Sequence, residues 1–357
     1  MKKTVALHNL GCKVNAYELE AIQQLLENRG YEIVPFAPGA DVYIINTCTV
    51  TNIADRKSRQ MLHKAKKMNP DAVVVACGCY VQAAGEKLEE DTAIDLIIGN
   101  NKKKDLVDIL ENFLAEREDG GKPSNAECKS FLVDMTHNRE YETLSISKTA
   151  EHTRAFLKVQ DGCNQFCTYC IIPFARGPLR SRSLTSIREE VKKLVASGYK
   201  EIVLIGIHLG CYGKEHDGKL TLFDAVEAAL SVEGLQRLRL GSLESVEVEA
   251  RLLNLMEKDK RLCRQLHLPL QAGCDTTLAR MHRPYDTRRF TELLADIRKR
   301  IPDIAITTDI IAGFPGETEE DFEETMDVVR KVRYDSAFTF IYSKRTGTPA
   351  AAMENQV

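Results

Sequence analysis

Short apolar runs alternate with amphipathic helical patterns along nearly the whole chain, and this alternation most narrows the folds open to it. "TVALHNL" (4–10) reads as a strand and "NAYELEAIQQLLENRG" as a helix closed by Gly30. "YEIVPF" and "DVYIINTC" follow as strands, then a basic helix over 52–68, the strands "AVVVACG" (72–78) and "DLIIG" (95–99), and a helix from about 103. Apolar strands alternating with helices imply a parallel sheet covered on both faces. Residues 117–150, including "EREDGGKPSNAEC", lack periodicity and read as a linker or a connecting strand. From 153 the alternation restarts, with candidate strands at 155–161, 201–207, 236–243, 264–271, 304–314 and 336–343. Helical stretches lie between them, near 184–197, 222–231, 246–258, 286–300 and 318–332. Six such units predict a partial version of the eight-fold barrel. The expected fold class is therefore α/β: a doubly wound parallel-sheet domain over 1–116, a linker over 117–150, and a partial (β/α)6 barrel over 151–357. In both kinds of sheet, chemistry collects at the C-terminal ends of the strands.

The 357 residues suffice for two domains, and 43% hydrophobic with 28% charged residues is ordinary for a soluble globular protein. "MKKTVALHNLGCKVN" has too short an apolar stretch for a signal peptide, and no long apolar run follows. The expected location is the cytoplasm. There thiols stay reduced, so eleven cysteines point to metal ligation over disulfides. A net charge of −3 gives no global attraction to nucleic acid, so any RNA contact needs a local basic patch.

"DGCNQFCTYCIIP" (161–173) sets Cys163, Cys167 and Cys170 in a C-x3-C-x2-C run. Closed structural metal sites take four protein ligands, so three in one tight loop suggest a cluster with one iron left open. A zinc knuckle needs a fourth ligand, and the nearest downstream candidates are His208 and Cys211 on another strand end. Cys12, Cys48 and Cys79 each follow a predicted strand of the first domain. On a parallel sheet they share one C-terminal edge and can form a second three-thiolate site. Any one of them alone reads equally well as a small buried hydrophobe. Cys77, two residues before Cys79, is expected to pack. Cys128, Cys211, Cys263 and Cys274 fit no motif spacing.

C-x3-C-x2-C with an aromatic, Tyr169, before the third cysteine resembles the signature of the radical S-adenosylmethionine (SAM) enzymes. More closely, the chain resembles the methylthiotransferases within that superfamily. "LGCKVNAYE", "INTCTVT" and "CGCYVQ" are similar to their N-terminal cluster segments, and "HLPLQAGCDTTLARMHRPY" and "DIIAGFPGETEEDF" to their radical domain. "GCKVN" resembles the branch that modifies threonylcarbamoyladenosine beside the tRNA anticodon. The isopentenyladenosine branch reads more like "GCQMN", and the branch acting on a ribosomal-protein aspartate more like "GCPKN". The family usually ends in a small RNA-binding β-barrel domain, and the chain stops at "AAAMENQV", before one forms.

The resemblance implies a [4Fe–4S] cluster on Cys163, Cys167 and Cys170 whose open iron binds SAM, giving a 5′-deoxyadenosyl radical. It implies an auxiliary [4Fe–4S] cluster on Cys12, Cys48 and Cys79. One SAM then donates methyl to a sulfur there, and a second activates the adenine C2 position. The SAM pocket expected from strand ends takes in Tyr169, Gly206, His208, Gly273, Asp309 and Gly313, with Gly316 in the turn that follows. Arg176, Arg180 and Arg182 suit carboxylate or phosphate forks. Arg182 is assigned to the cofactor, and Arg176 and Arg180 to RNA. On the basic helix, Arg56, Arg59 and Lys67 fall near one face and form the candidate patch for the anticodon stem-loop. An electron donor such as flavodoxin is the expected reductant, and no membrane partner is expected. The rival reading is an RNA-binding protein with structural zinc or a closed iron–sulfur site and no catalysis.

Overall fold

The computed structural model describes residues 3–119, 128–148 and 153–357. The chain falls into two compact units, Met1–Ala150 with Ile171–Pro178, and Glu151–Cys170 with Leu179–Val357.

The first unit is built on β1 (Thr4–Asn9), α1 (Lys13–Asn28), β2 (Glu32–Val34), β3 (Val42–Thr47), α2 (Asn52–Met68), β4 (Val73–Gly78), α3 (Cys79–Ala84), β5 (Leu96–Ile98), α4 (Leu106–Asp119) and β6 (Lys129–Phe131). The short helix α5 (Ile172–Arg176) completes it. All six strands are parallel, in the order β2-β1-β3-β4-β5-β6. Every residue of β3 and β4 is buried, which explains their unbroken apolar runs. Val42, Ile44, Val73 and Val75 pack with Leu19, Ile22 and Leu26 of α1 and Leu106 and Leu110 of α4. Their neighbours Tyr43, Ile45, Val74 and Ala76 pack on the opposite face with Leu62 and Ala65 of α2. Within the predicted linker, β6 joins the sheet edge beside β5; residues 120–127 and 149–150 lie outside the described ones.

The second unit holds β7 (Ala155–Lys158), β8 (Gln160–Asp161), β9 (Arg180–Ser181), α6 (Leu184–Ala196), β10 (Glu201–Ile205), α7 (Leu222–Leu230), β11 (Arg237–Leu240), α8 (Ala250–Lys258), β12 (Gln265–His267), α9 (Asp275–Arg280), α10 (Thr287–Arg300), β13 (Ala305–Ala312), α11 (Glu319–Val332) and β14 (Ser336–Ile341). Six parallel strands run in chain order as two triplets, β7-β10-β11 and β12-β13-β14, bridged at Ser242 and His267. This is an open, partial barrel. The two-residue antiparallel pair β8–β9 flanks the cysteine loop and was not expected. Among the described residues, no helix is long and apolar enough to cross a membrane.

Candidate metal centres

In the first unit, strand order reverses between β1 and β3, the point where doubly wound sheets bind ligands. Cys12 follows β1 and begins α1 as its N-cap, while Cys48 follows β3. Cys79 opens α3 directly after β4. All three thiols therefore lie along one sheet edge, and each of Cys12 and Cys48 senses the charge of Cys79. Asn15 stitches the loops together, donating to Leu10 O at 2.8 Å and Thr47 O at 3.0 Å. Two glycines make room: Gly11 has φ +104°, and a Cβ there falls 2.8 Å from Cys48 Sγ, while Gly78, just before Cys79, has φ +98° and a Cβ there falls 2.5 Å from Thr47 O. Cys48 and Cys79 are buried, whereas Cys12 is exposed, so the trio is open on one side. Burial, helped by the neighbouring Cys79 and Cys12, pushes the Cys48 thiol up to about 11. Such thiols give up their protons to a metal, not to neutral solvent. Cys77 points into the core beside α1 and α4, and burial pushes it up to about 12, as befits a packing residue.

Cys79 has charged company. Arg176 Nε donates to Cys79 Sγ at 3.1 Å, and Asn100 Nδ2 approaches the same sulfur at 3.8 Å. This corrects the assignment of Arg176 to RNA. Its guanidinium is fully buried and gripped by Glu18, because a charge removed from water must be paired.

In the second unit, Gly162 and the β8–β9 pair launch the loop carrying Cys163, Cys167 and Cys170. Cys170 N donates to Cys167 O at 2.9 Å, which tightens the turn. Arg283 Nη1 donates to Cys167 Sγ at 3.1 Å and reaches Tyr169 Oη at 3.4 Å, while its other nitrogen pairs with Glu244. Burial raises the Cys167 thiol and the Arg283 charge opposes that rise. His208 Nδ1 lies 3.4 Å from Cys163 Sγ, and its Nε2 is 3.0 Å from Glu247. Burial alone lowers the histidine's pKa, but its bonds to Cys163, Cys211 and Glu247 raise it far above the ordinary value. Burial disfavours the charge of Glu247, but His208, Cys211 and Lys214 overcome it and hold the carboxyl down at about 2.

A tetrahedral zinc, with Zn–S of about 2.3 Å, needs sulfurs about 3.8 Å apart. Among the described residues, the one group of three His, Cys or acidic donors lying within 4.8 Å of one another is His208, Cys211 and Glu247. Neither cysteine trio is drawn in that far. Wider trios suit a multi-iron cluster better than one zinc ion. In the His208 group, the carboxylate oxygen facing the histidine already holds Lys214 at 3.0 Å.

The remaining predicted residues divide. Gly206 ends β10 against Gln160, whose Oε1 accepts from His208 N at 2.7 Å, so glycine and histidine share one corner. Asp309 faces the open side of β13, 3.2 Å from His267, with Phe338 of β14 beside that ring. Gly313 turns at φ +73° with its N–H on Glu317. Three expectations need correction. Gly273 approaches α11 closely, its N–H on Thr325 Oγ1 at 2.8 Å, in place of a ribose. Arg182 is buried and paired with Glu190 at 2.5 Å, so its fork is committed within the protein. Arg180 is likewise buried, 3.6 Å from Asp161, which also holds Lys158 at 2.7 Å, and is no RNA contact. Arg56, Arg59 and Lys67 stand exposed on α2, with Arg59 reaching Tyr80 Oη at 3.2 Å. Glu18, Arg283, Glu244 and Glu247 escaped sequence reasoning. Arg283 lay inside a quoted motif, but nothing in its neighbours signals a sulfur contact.

Two family models match the chain, one described as uncharacterized protein family UPF0004 over residues 4–99 and the radical SAM superfamily over 157–329. The fold is similar to the radical SAM methyltransferase TsrM from Kitasatospora setae, with a TM-score of 0.67 at 16% identity over 98% of this chain and 77% of that one. Fold, cysteine loop and matched models together define a radical SAM protein with a second, N-terminal domain. Threonylcarbamoyladenosine tRNA methylthiotransferase MtaB of Bacillus subtilis is 42% identical over 99% of this chain and 76% of its own length. The protein of the same name from Aquifex aeolicus is 38% identical over 98% and 83%. tRNA-2-methylthio-N(6)-dimethylallyladenosine synthase of Carboxydothermus hydrogenoformans is 39% identical over 97% and 78%. The chain belongs to the radical SAM methylthiotransferase family, and that membership implies a [4Fe–4S] cluster and SAM.

Proposed function

We propose that this enzyme adds a methylthio group to C2 of threonylcarbamoyladenosine next to the anticodon of tRNA. SAM serves as methyl donor and radical source, and a carrier such as flavodoxin supplies electrons. The observation that carries the reading is the pair of separate cysteine trios, each set just past the C-terminal ends of parallel strands. Cys163, Cys167 and Cys170 would hold one [4Fe–4S] cluster and Cys12, Cys48 and Cys79 the other. When bound, the first supplies the electron that cleaves SAM, and the second offers an iron that carries sulfur.

The chain's own residues do the rest. Arg283 and His208 orient the Cys167 and Cys163 sulfurs, each backed by a glutamate. Asp309 and His267 present paired polar groups on the open face of β13 and β12, where SAM or the base can be held. The exposed cations of α2 draw in the RNA backbone.

The choice of nucleoside is supported by "GCKVN" and by the names of the Bacillus and Aquifex relatives. The Carboxydothermus relative favours dimethylallyladenosine as a second reading. Mass spectrometry of tRNA nucleosides from a strain lacking this protein separates the two, the threonylcarbamoyl product being the one expected to vanish. Its persistence refutes the assignment. Anaerobically purified protein should carry about eight irons. Replacing Cys12, Cys48 and Cys79 with alanine should leave about four, and an unchanged iron content refutes the two-cluster reading.

A further inference from the structure

Arg176 is a few residues downstream of Cys170 in the chain, yet it belongs wholly to the N-terminal unit. Its side chain is fully buried, as are those of Glu18 and Lys103. Arg176 Nη1 donates to Glu18 Oε1 at 2.5 Å and Nη2 to Oε2 at 3.1 Å, a two-pronged grip that fixes the guanidinium plane. Nη2 also donates to Asn15 Oδ1 at 2.8 Å. With the plane fixed, Nε has one direction left, and 3.1 Å along it lies Cys79 Sγ. From Glu18 the network runs on: Lys103 Nζ donates to Glu18 at 2.5 Å and to Asn100 Oδ1 at 2.8 Å. Asn100 Nδ2 returns to Cys79 Sγ at 3.8 Å and also donates to Ala175 O at 2.8 Å. The contacts form a closed ring from Glu18 through Arg176, Cys79, Asn100 and Lys103 back to Glu18.

We propose that Glu18 and Arg176 are a positioning pair that holds the Cys79 sulfur and makes the cluster in the N-terminal unit easier to reduce. The inference rests on the reading that Cys12, Cys48 and Cys79 hold such a cluster. Stability alone does not account for the ring, because well-packed apolar side chains usually serve a core as well as buried ions do. A neutral thiol is a weak acceptor. A metal-bound thiolate is a strong one, and a buried arginine aimed at it by a carboxylate makes a charge-assisted bond. Donors to ligand sulfurs lessen the negative charge that reduction builds up, and so raise the potential. The second unit repeats the device independently, with Glu244 behind Arg283 and Arg283 on Cys167 at 3.1 Å.

The test uses full-length protein in which Cys163, Cys167 and Cys170 are alanine, so that only the N-terminal cluster contributes to the spectra. Arg176→Met is expected to shift the reduction equilibrium about tenfold toward the oxidised form, or about 59 mV for one electron, by EPR-monitored titration. Glu18→Gln, which loosens the fork but also removes a buried negative charge, is expected to shift it less than Arg176→Met. Iron release to a chelator should speed up about 10- to 100-fold. Arg176→Lys, which restores charge without the fork, should fold like the parent and give a potential between the parent's and that of Arg176→Met. Should Arg176→Met fail to fold, Arg176→Gln and Arg176→Lys carry the same comparison. Folded, iron-bearing variants whose reduction equilibrium and release rate stay within about twofold of the parent overturn the pairing alone. A parent that binds no iron at these cysteines overturns the two-cluster function, and the pairing with it.

Discussion

Gly78→Ala is the sharpest test of how the sheet edge builds the N-terminal site. Gly78 is the last residue of β4, in register with Thr47 of β3, and sits immediately before Cys79. Its φ is +98°, and a Cβ there meets Thr47 O at 2.5 Å, Asn46 Oδ1 at 2.5 Å and Thr47 N at 2.8 Å. Asn46 is buried with its amide on Asn15 O at 2.8 Å, and the Thr47 backbone is locked in the ladder, so neither yields cheaply. Gly30, after α1, is the matched control: its φ is +88°, yet nothing lies within 4 Å of its Cβ position. Gly30→Ala incurs the positive-φ penalty, roughly 1–2 kcal/mol. Gly78, with ψ −168°, lies in a backbone region that is essentially glycine's alone, at roughly 1–3 kcal/mol for another residue, and Gly78→Ala adds overpacking, roughly 1–3 kcal/mol. The expected losses are therefore about 1–2 kcal/mol for Gly30→Ala and about 2–6 kcal/mol for Gly78→Ala. Urea denaturation of the two apoproteins measures the difference as a shift in midpoint at constant slope. Iron analysis adds an independent readout, since Gly78→Ala should displace Cys79 and lose about half the iron while Gly30→Ala keeps it. Equal destabilisation by the two substitutions, or full iron in Gly78→Ala, refutes the steric argument.

Reversing Arg56, Arg59 and Lys67 to glutamate should weaken tRNA binding and reduce the slope of log affinity against log salt by up to about 2.7, at roughly 0.7–0.9 per phosphate contact. A filter-binding salt series with both parameters unchanged removes α2 from the RNA surface. Acid stability should report on Glu201. Burial disfavours its charge, but Arg239 and Arg154 outweigh that and hold its pKa below the ordinary 4.5. The folded value being depressed, its stabilisation is present above pH 4.5 and fades as pH falls through the folded value. Glu201→Gln should flatten that part of the urea-midpoint profile and cost about 1 kcal/mol at neutral pH. An unaltered profile refutes the link.

The centre of the first sheet was legible because β3 and β4 are buried on both sides, leaving unbroken runs such as "AVVVAC" that few other structures produce. The cysteine trios were legible for two reasons, local spacing in one case and strand ends in the other. The arginines were not. Arg176 looks like a loop cation because its partner Glu18 lies 158 positions away, and only folding reveals that both are dry. Arg180 and Arg182 misled in the same way. Gly273 was rightly read as a point of close backbone approach, but sequence cannot say that the approaching backbone is α11.

The eight-residue segment Ile171–Pro178 belongs to the N-terminal unit, although its flanks belong to the other. That unit is thus not a detachable module. A gene fragment ending near residue 150 encodes every strand of its sheet yet omits Arg176, leaving Glu18 with Lys103 as its remaining ion-pair partner among the named contacts. Leaving a buried ion wholly uncompensated costs about 3–5 kcal/mol, and with Lys103 still in place the loss of Arg176 costs less than that. Dissecting the enzyme therefore means grafting that short helix back as well as cutting the chain.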